Sequence, residues 1–455
     1  MECNKISIRN FRNIEAADIE FDGGVNILCG ENAQGKTNML EAIHFTSLGK
    51  SFRTTHDEEM IRFGEEFCQV SLDFTDTLRR QNITVRMMQG KKKQIEHNKN
   101  KVTKLSDVVG IFRTVLFCPE HLSLIKEGPG ERRNFLDIAL SQLYPMYLKS
   151  LQRYNQILKQ RNQLIKAAED DRATFEATVD LWSSQLAHEA AIIARYRYRY
   201  IKMAEEHVKR FFGEMTGERE TPTLVYLGSS KQPVEEYEDV AKTEAAYLEL
   251  LNTRHDREIG AGCTLWGIHK DDIEILLNDK PARAFASQGQ QRSLALSLKL
   301  AEGEVCAAVC GEKPVFLFDD VFSELDSTRR AYLSGKIGER QVIITTCEPS
   351  GIAGGKLITV ENGTFSDDRE KEMYLHVGNN QNIRERNIIG IFDADTATVS
   401  AITKKYLSAA DARRAVEFAS EEIPKSFVLY KDRDGNFKVC FSQLATSSLV
   451  GRSTH

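Results

Sequence analysis

Residues 30–37 read Gly30-Glu31-Asn32-Ala33-Gln34-Gly35-Lys36-Thr37, a complete G-x-x-x-x-G-K-S/T phosphate-binding loop. Its glycines allow backbone N–H groups to surround a phosphate, Lys36 can reach the β- and γ-phosphates, and Thr37 offers a hydroxyl to Mg²⁺. An apolar run at 25–29 predicts a strand before the loop, and residues 37–43 have helical spacing after it. Bound phosphate would therefore lie at a helix N-terminus. The candidate nucleotide ligands are Gly30, Asn32, Gly35, Lys36, Thr37 and Asn38.

The second half of such a site follows a strand much later in the chain. Residues 314–318 form an apolar run that predicts a buried strand, and Asp319 and Asp320 follow it directly. In a P-loop ATPase a carboxylate at this place holds Mg²⁺, so Asp319 and Thr37 are the predicted metal ligands. Asp320 is placed to act as general base on the attacking water, which makes it, with Lys36, a predicted catalytic residue. A pair of acids that only forms a turn is the alternative.

The spacing of the two halves narrows the class of ATPase. Lys36 and Asp319 are separated by 283 positions (319 − 36), more than a simple nucleotide kinase or GTPase needs. From about 133 to 217 the chain has apolar residues at three- and four-residue spacing and almost no Gly or Pro, which predicts long helices. A helical arm between the halves of one site is the layout of ABC-class and structural-maintenance-type ATPases.

A third motif, Ser287-Gln288-Gly289-Gln290-Gln291-Arg292, lies at the start of a helix predicted at 289–310. A serine and a glycine at a helix N-terminus make a second anion cradle, to which we assign Ser287, Gly289 and Gln290. Because the phosphate loop already serves one site, this cradle is expected to cap the γ-phosphate on a second copy of the chain. The loop at 323–326 resembles one that carries signals across such a dimer. An ordinary helix cap at Ser287 is the alternative.

The composition limits the partners and the compartment. The net charge of −5 over 455 residues gives no general attraction to nucleic acid or anionic membranes, so DNA contact needs a local basic patch. Nine cysteines without a C-x-x-C pair fit a reducing compartment. The sequence has no signal-peptide pattern and no apolar run of membrane-spanning length. We therefore expect a soluble, cytoplasmic protein without a membrane partner.

Two basic stretches are candidates for DNA contact. In a hairpin-like stretch only Glu96 opposes six lysines, and a solvated hairpin is an equal alternative there. These lysines are Lys91, Lys92, Lys93, Lys99, Lys101 and Lys104. Residues 195–200 alternate arginine and tyrosine, a mixture that also suits nucleic acid. On a helix these side chains spread around the axis, so we favour tyrosines that pack the arm and arginines that face solvent.

Several stretches together resemble the RecF family of bacterial recombination and replication proteins, over roughly residues 1–365. Besides the motifs above, they are Asn-Phe-Arg-Asn at 10–13, Lys-Ser-Phe-Arg-Thr at 50–54, Phe-Cys-Pro-Glu-His-Leu at 117–122, Arg-Arg-Asn-Phe-Leu-Asp at 132–137 and Gln-Arg-Asn at 160–162. The resemblance implies a weak, DNA-stimulated ATPase that dimerises on ATP and binds double-stranded DNA beside gaps in replication, recombinational repair and the SOS response. It implies RecR and RecO as partners that help RecA to load, and it places Arg12 and Arg53 near the nucleotide.

Two stretches bear on how closely the chain follows its relatives. Residues 267–272 read Gly-Ile-His-Lys-Asp-Asp where the RecF family often has Gly-Pro-His-Arg-Asp-Asp. No histidine follows the strand predicted at 341–346, where ABC transporters place a switch residue. Thr345 and Thr346 stand there, as in RecF-like sequences, and this argues against a transporter subunit.

The expected fold is α/β, with an ABC/SMC-like P-loop ATPase head, an inserted helical arm and a small β-rich C-terminal module. The predicted boundaries are 1–132 for the N-terminal lobe of the head, 133–255 for the arm, 256–365 for the C-terminal lobe, 366–372 for a linker and 373–455 for the module. The module resembles small biofilm-matrix regulators of the RemB type at 374–380, 388–393 and 396–400. A β-rich interaction domain without separate activity is the alternative.

These observations lead to one hypothesis and two alternatives of other classes. The hypothesis is a DNA-binding repair protein that uses ATP and Mg²⁺ to control a homodimer. One alternative is an ABC-class ATPase that acts on protein rather than on DNA. The other is a transcription or matrix regulator in which the ATPase serves as a switch.

Overall fold

The computed structural model describes residues 1–229, 237–337, 340–348, 354–367, 374–378, 381–384, 387–413, 415–419, 422–432 and 436–453. The chain forms two compact units, Met1–Phe365 and Ser366–His455. The break coincides with the start of the predicted linker, although residues 368–372 of that linker lie outside the described residues. Among the helices in the described ranges, none is long and apolar enough to cross a membrane.

An antiparallel sheet of six strands begins the first unit. Its strands alternate apolar and polar residues, so that Ile6, Ile8, Val70 and Leu72 all turn to the core. In spatial order the strands are β2 (Ile14–Glu20), β1 (Glu2–Phe11), β4 (Phe67–Thr75), β5 (Arg80–Met88), β6 (Gln94–His97) and β7 (Asn100–Val102).

A second sheet of six strands brings the predicted site together. The neighbouring strands β14, β3, β13, β12 and β8 run parallel, and β12 and β13 are buried along their whole length, as strands covered on both faces are. The spatial order is β15 (Thr364–Asp367), β14 (Lys356–Glu361), β3 (Val25–Cys29), β13 (Val342–Thr346), β12 (Val315–Asp319) and β8 (Thr114–Phe117).

Alternate residues of β12 supply two separate cores. Val315 and Leu317 pack with the antiparallel sheet and with helix α1 (Lys36–Leu48), which follows the phosphate-binding loop. Phe316 and Phe318 pack on the other side with the arm helices and α9 (Gln288–Cys310). The parallel sheet is therefore covered on both faces.

The predicted run of long helices at 133–217 is confirmed. Three helices fill it: α3 (Pro129–Leu143), α4 (Pro145–Ala167) and the 45-residue α5 (Arg172–Thr216). The remaining helices of this unit are α2 (Ser123–Lys126), α6 (Val240–Asn252), α7 (His255–Ala261), α8 (Ala282–Phe285), α10 (Val321–Glu324), α11 (Ser327–Ile337) and 3₁₀ turns at Asp57–Met60, Leu105–Asp107 and Pro119–Leu122.

The stretch between 217 and 281 differs from the sequence-based expectation. The range assigned to the helical arm contains a strand, β9 (Pro222–Leu227). It pairs with β10 (Asp272–Leu277) in antiparallel register. A two-residue strand, β11 (Lys280–Pro281), completes this sheet. The error follows from Thr223, Val225 and Ile273, whose β-branched side chains take an extended form once two such segments pair.

The arginine and tyrosine stretch at 195–200 is helical, and part of its prediction is wrong. Tyr200 is buried and Arg195 and Arg199 reach Glu238 at the surface, as expected. Arg197, however, is buried rather than exposed, and its guanidinium donates to Asp137 Oδ1 at 2.7 Å and to Ile268 O at 2.8 Å. A cation can be buried where carboxylate and carbonyl oxygens satisfy it, and the sequence pattern cannot locate such partners.

The stretch at 267–272 joins the arm to the head through buried polar groups. Tyr154 on α4 hydrogen-bonds His269 Nδ1 at 2.6 Å. Asp271 is fully buried and accepts from the hydroxyls of Tyr226 (2.5 Å) and Tyr247 (3.1 Å), while its burial raises its pKa to about 6. The histidine and the acids noted in the sequence therefore serve packing between subdomains.

A second buried ion pair joins α4 to α7 and provides a test of protein stability. Arg161 and Glu258 are both inaccessible to solvent, and their Nη2 and Oε2 atoms are 2.6 Å apart. We expect Arg161→Leu to lower the free energy of unfolding by about 3 to 5 kcal/mol, because it leaves a buried carboxylate without its cation. Chemical denaturation measures this loss, and Arg161→Leu with Glu258→Leu should recover part of it. Arg172→Leu, at an exposed ion pair, is the matched control, and an equal loss there would contradict the interpretation.

The second unit is rich in β structure, as predicted. Residues 379 and 380 of the RemB-like stretch, and residues 373, 385, 386, 414, 420, 421, 433–435, 454 and 455 of the module, lie outside the described residues. One hairpin pairs β16 (Tyr374–Gly378) with β17 (Gln381–Arg384). A four-stranded sheet has the order β18 (Ile388–Asp393), β20 (Ser426–Lys431), β21 (Phe437–Ser442) and β19 (Val416–Phe418). Helices α12 (Ala394–Ala397), α13 (Ala401–Ala412) and α14 (Thr446–Ser453) accompany these strands.

Candidate nucleotide site

The phosphate-binding loop joins β3 to α1 in the way the sequence predicts. β3 ends at Cys29 and α1 begins at Lys36, so the loop leads directly into a helix N-terminus. Gly35 has φ 115° at the helix cap, a conformation that other residues rarely adopt. A Cβ atom on Gly30 would lie only 2.2 Å from the carbonyl oxygen of Val360. Both glycines of the motif are therefore required by the backbone itself.

Lys36 is turned into the loop that carries it. Its side chain is buried, and Nζ donates to the carbonyl oxygens of Gly30 (2.5 Å) and Glu31 (2.8 Å). The thiol of Cys347 lies 3.4 Å from the same atom. The ammonium group is thus held at the centre of the loop by neutral oxygens, and the charged oxygens of a phosphate would be stronger partners for it.

The two predicted halves of the site meet at one hydrogen bond. Thr37 Oγ1 donates to Asp319 Oδ1 at 2.8 Å, across 282 positions of sequence. Asp319 is nearly buried, and its burial raises the pKa of the carboxyl, while hydrogen bonds from Thr345 and Thr37 oppose that shift. The Thr37 hydroxyl and the Asp319 carboxylate are in contact, and both are hard oxygen donors, the type of ligand that Mg²⁺ prefers. The residues present therefore fit this metal.

Asp320 has an unusual backbone and an unsatisfied side chain. Its φ of 51° lies in the left-handed region, and it caps α10 with no side-chain hydrogen bond to the helix. Its Oδ1 atom is shielded from solvent and has no hydrogen-bond partner within the described ranges. A carboxylate oxygen without a hydrogen-bond donor can accept a proton. The role of general base, predicted from the sequence, requires this.

The third motif forms the first turn of α9, beginning one residue earlier than predicted. Ser287 is the helix cap, and its hydroxyl accepts the N–H of Gln290 while Gln290 Oε1 accepts the N–H of Ser287. Gln290 also donates to Glu220 at 2.6 Å. The alternative of a helix cap is therefore confirmed in geometry. It does not conflict with an anion cradle, since both use the N-terminus of a long helix.

Arg329 lies against this turn, and nothing in the motif indicated it. Its Nε atom donates to Ser293 on α9 at 2.7 Å, and it pairs with Asp326 in the loop after the acid pair. A Cβ atom on Gly289 would come within 3.3 Å of its guanidinium. The glycine thus allows an arginine of α11 to approach the start of α9, and this arginine links Asp326 to that helix.

Arg12 and Arg53 are close to the loop helix but are bound to protein. Both donate to Glu41, a fully buried carboxylate on α1, and Arg12 does so through two nitrogens at 2.7 and 3.0 Å. Arg53 also donates to Asn38 Oδ1 at 2.7 Å. Glu41 was not among the site residues predicted from the sequence. The signal that could have identified it was a charged residue at a buried position of the predicted helix.

Of the two remaining candidates, Asn32 lies within the loop and Asn38 directly follows it. Asn38 donates to Asn13 Oδ1 at 2.7 Å, and Asn13 in turn donates to the carbonyl oxygen of Ala33 at 3.4 Å. Asn32 accepts a hydrogen bond from the Cys347 thiol at 3.1 Å. The structure therefore brings all the candidates at 30–38 to one place, together with Asp319.

The lysine stretch forms the predicted hairpin, from β6 and β7, but one of its lysines is not free for DNA. Lys93 donates to Gly49 O at 2.7 Å and pairs with Asp57 at 2.6 Å. Lys101 stands opposite Glu96 in the strand pairing. The other lysines of the set are exposed in or next to this hairpin, so the choice between a phosphate patch and a solvated hairpin stays open for them.

Comparison with known proteins shows which family and which solved structures this chain resembles. Residues 2–361 match the RecF/RecN/SMC N-terminal domain family. The DNA replication and repair protein RecF of Bacillus cereus is 36% identical over 381 residues, which are 82% of this chain and 100% of that relative. Solved structures of the recombination mediator protein RecF in the RecFOR pathway, RecF-ATPrS and RecF-ATP, are each 33% identical, with TM-scores of 0.76 and 0.74. They cover 81% and 80% of this chain, and 98% and 99% of their own.

These matches extend over the head and the arm, and they agree with the geometry described above. The phosphate-binding loop and the acid pair meet at the carboxyl ends of the parallel strands β3 and β12. A helical arm separates them in sequence, as in an SMC-like, ABC-type ATPase head. The chain therefore belongs to the RecF family of DNA replication and repair ATPases.

Proposed function

We propose that this chain is an ATP-gated clamp of DNA replication and recombinational repair. It binds ATP with Mg²⁺, dimerises around two nucleotides, holds duplex DNA beside a gap and releases it on hydrolysis. The observation that carries the proposal is the 2.8 Å hydrogen bond between Thr37 and Asp319, which joins the two halves of the site.

Each part of the bound nucleotide has residues that suit it. The N–H groups from Gly30 to Thr37 and the ammonium of Lys36 would hold the β- and γ-phosphates, with Asn32 in the loop and Asn38, Arg12 and Arg53 close to it. Thr37 and Asp319 would hold Mg²⁺, which would neutralise charge on the phosphates. Asp320 accepts the proton of the attacking water. Replacement of the carbonyl oxygens around Lys36 by phosphate oxygens couples the loop to ATP.

A second copy of the chain completes the site. β3 and β8 are separated by β13 and β12, so about 14 Å of sheet lies between the loop strand and the strand against which α9 packs. The hydrogen bonds of Ser287 and Gln290 join these residues to each other and to Glu220, and none of those bonds reaches the phosphate-binding loop of the same chain. In a head-to-tail pair these residues cap the γ-phosphate bound by the partner, and two nucleotides lie between two chains.

Substitution of Ser287 tests the dimer separately from nucleotide binding. We expect Ser287→Arg to bind ATP with unchanged affinity but to remain monomeric, because the long side chain occupies the place of the partner's phosphate. Sedimentation velocity with and without ATP measures the change. Ser287→Thr keeps the helix cap and is the matched control. ATP-induced dimers of Ser287→Arg would contradict the arrangement.

The DNA part of the proposal is supported by the family and by its RecFOR relatives. We infer that the chain binds gapped duplex DNA, works with RecR and RecO, and so assists the loading of RecA in the cytoplasm. Binding of labelled gapped duplex, measured from 50 to 300 mM salt, should tighten on addition of ATP and weaken steeply with salt. DNA binding that is absent or independent of ATP would favour the alternative of an ABC-class ATPase that acts on protein.

The C-terminal module is proposed to be a RemB-like accessory. It forms its own compact unit, and the match to the RecF/RecN/SMC N-terminal domain family ends at residue 361, before that unit begins at Ser366. A chain that ends at residue 365 should therefore keep its ATPase and its binding to gapped DNA within about twofold of the full chain. Loss of both activities in the shortened chain would instead favour a regulator in which the ATPase serves the module.

A further inference from the structure

Thr345 lies between the two acids of the site and touches both. It is the fourth residue of β13, the strand between β3 and β12, and it is fully buried. Its hydroxyl donates to Asp319 Oδ1 at 2.7 Å and accepts the backbone N–H of Asp320 at 2.9 Å. One side chain thus uses both its donor and its acceptor on the acid pair.

The contact with Asp319 differs from that of Thr37, which reaches the same oxygen. Thr37 is assigned to the metal, so its hydroxyl has a second task. Among the residues that the structure describes, the Thr345 hydroxyl makes no further hydrogen bond, and the side chain is fully buried. It therefore fixes one carboxylate oxygen of Asp319 in the direction of Thr37. A partner behind a metal ligand orients that ligand and affects metal affinity.

The contact with Asp320 supports a backbone that needs support. A non-glycine residue in the left-handed region costs about 1 kcal/mol or more, and Asp320 has φ 51°. Thr345 holds the N–H of this residue, and Ser323 donates to its carbonyl oxygen at 2.6 Å. The unpaired Oδ1 atom of Asp320 owes its direction to this conformation.

We propose that Thr345 is a positioning residue for ATP hydrolysis: from β13 it holds in place both the metal-binding acid and the proton-accepting acid, which follow one another at the end of β12. The proposal rests on the roles given above to Asp319 and Asp320. It assigns a hydrolytic role to the strand where transporters carry a histidine, and it gives this role to a side chain that contacts the acids rather than the nucleotide.

The test compares variants of the full chain that keep or lose the hydroxyl. We expect Thr345→Val to lower kcat by about 10- to 100-fold and to raise the Mg²⁺ concentration for half-maximal ATPase by about tenfold. Its affinity for ATP without metal, from fluorescent-nucleotide titration, should stay within threefold of the wild type. Thr345→Ser keeps both hydrogen bonds and should restore kcat to within threefold.

Two further variants separate positioning from folding. Thr46→Val removes another buried threonine hydroxyl, which donates to Ile43 O within α1, and should show a similar change in Tm without the loss of kcat. Thr345→Ala lacks the hydroxyl but cannot clash, so it replaces the valine variant should that one not fold. Full activity of either hydroxyl-free variant, or equal losses in Thr345→Ser, would overturn the proposal. A wild-type chain without ATPase would overturn the assignment of the acids instead.

Discussion

Lys36→Ala is expected to weaken ATP binding by about 100-fold. The residue supplies the single ammonium group inside the loop, and charge-assisted hydrogen bonds contribute about 1.5 to 3 kcal/mol each. The structure adds a reason for a large effect. Nζ is already desolvated and held by Gly30 and Glu31, so no solvent shell has to be removed when a phosphate binds. Titration with a fluorescent ATP analogue measures the loss.

Two controls make the result specific to the loop. Lys99→Ala removes one exposed lysine from the hairpin and the same unit of charge, and it should bind ATP as the wild type does. The melting temperature of Lys36→Ala without nucleotide should match that of the wild type to within a few degrees. If Lys36→Ala bound ATP with wild-type affinity, the nucleotide would have to bind elsewhere, and the assignment of the whole site would be wrong.

Asp320→Asn is expected to give the opposite phenotype, with normal ATP binding and almost no turnover. A general base contributes about 100- to 10,000-fold to the rate, and the neutral amide cannot accept the proton from water. The substitution preserves size, and asparagine also tolerates the left-handed backbone of this position. The nucleotide should therefore remain bound, and the ATP-dependent dimer should persist instead of dissociating.

Single-turnover hydrolysis and sedimentation of the same sample measure both halves of this prediction. Asp180→Asn, on the exposed side of α5, removes an equal charge and should keep full turnover. Turnover of Asp320→Asn within tenfold of the wild type would move the general base to another residue. A variant that neither hydrolyses ATP nor dimerises would instead give Asp320 a role in nucleotide binding.

The sequence was a good guide wherever a function needs particular residue types close together. The phosphate-binding loop, the acid pair and the Ser287 turn are local motifs, and each appears in the structure at the predicted junction of a strand or helix. Long helices could also be predicted from the sequence, because a 3.6-residue repeat extends over many turns in α4 and α5. The strand β9 could not be predicted, since a short apolar run becomes a strand only when another segment pairs with it.

The sequence pattern could not identify hydrogen-bond partners that come from distant parts of the chain. Arg197 was expected at the surface, but Asp137 and the Ile268 carbonyl satisfy it in the interior. Lys93 belonged by sequence to a basic hairpin, whereas Asp57 and Gly49 hold it in place. In each case the side chain follows its hydrogen-bond partner, and that partner comes from a different element.

The sequence by itself determined the chemistry of this protein: a nucleotide loop, two acids and a helix N-terminus, separated by an arm. It could do so because backbone amides, one ammonium and two carboxylates have few substitutes in phosphate chemistry. Only the tertiary structure decided which groups control them. Thr37 and Asp319 meet, Thr345 bridges the acids and Arg329 reaches Gly289 because a parallel sheet brings to one edge residues that lie far apart in the chain. Sheet order, rather than residue type, sets those distances.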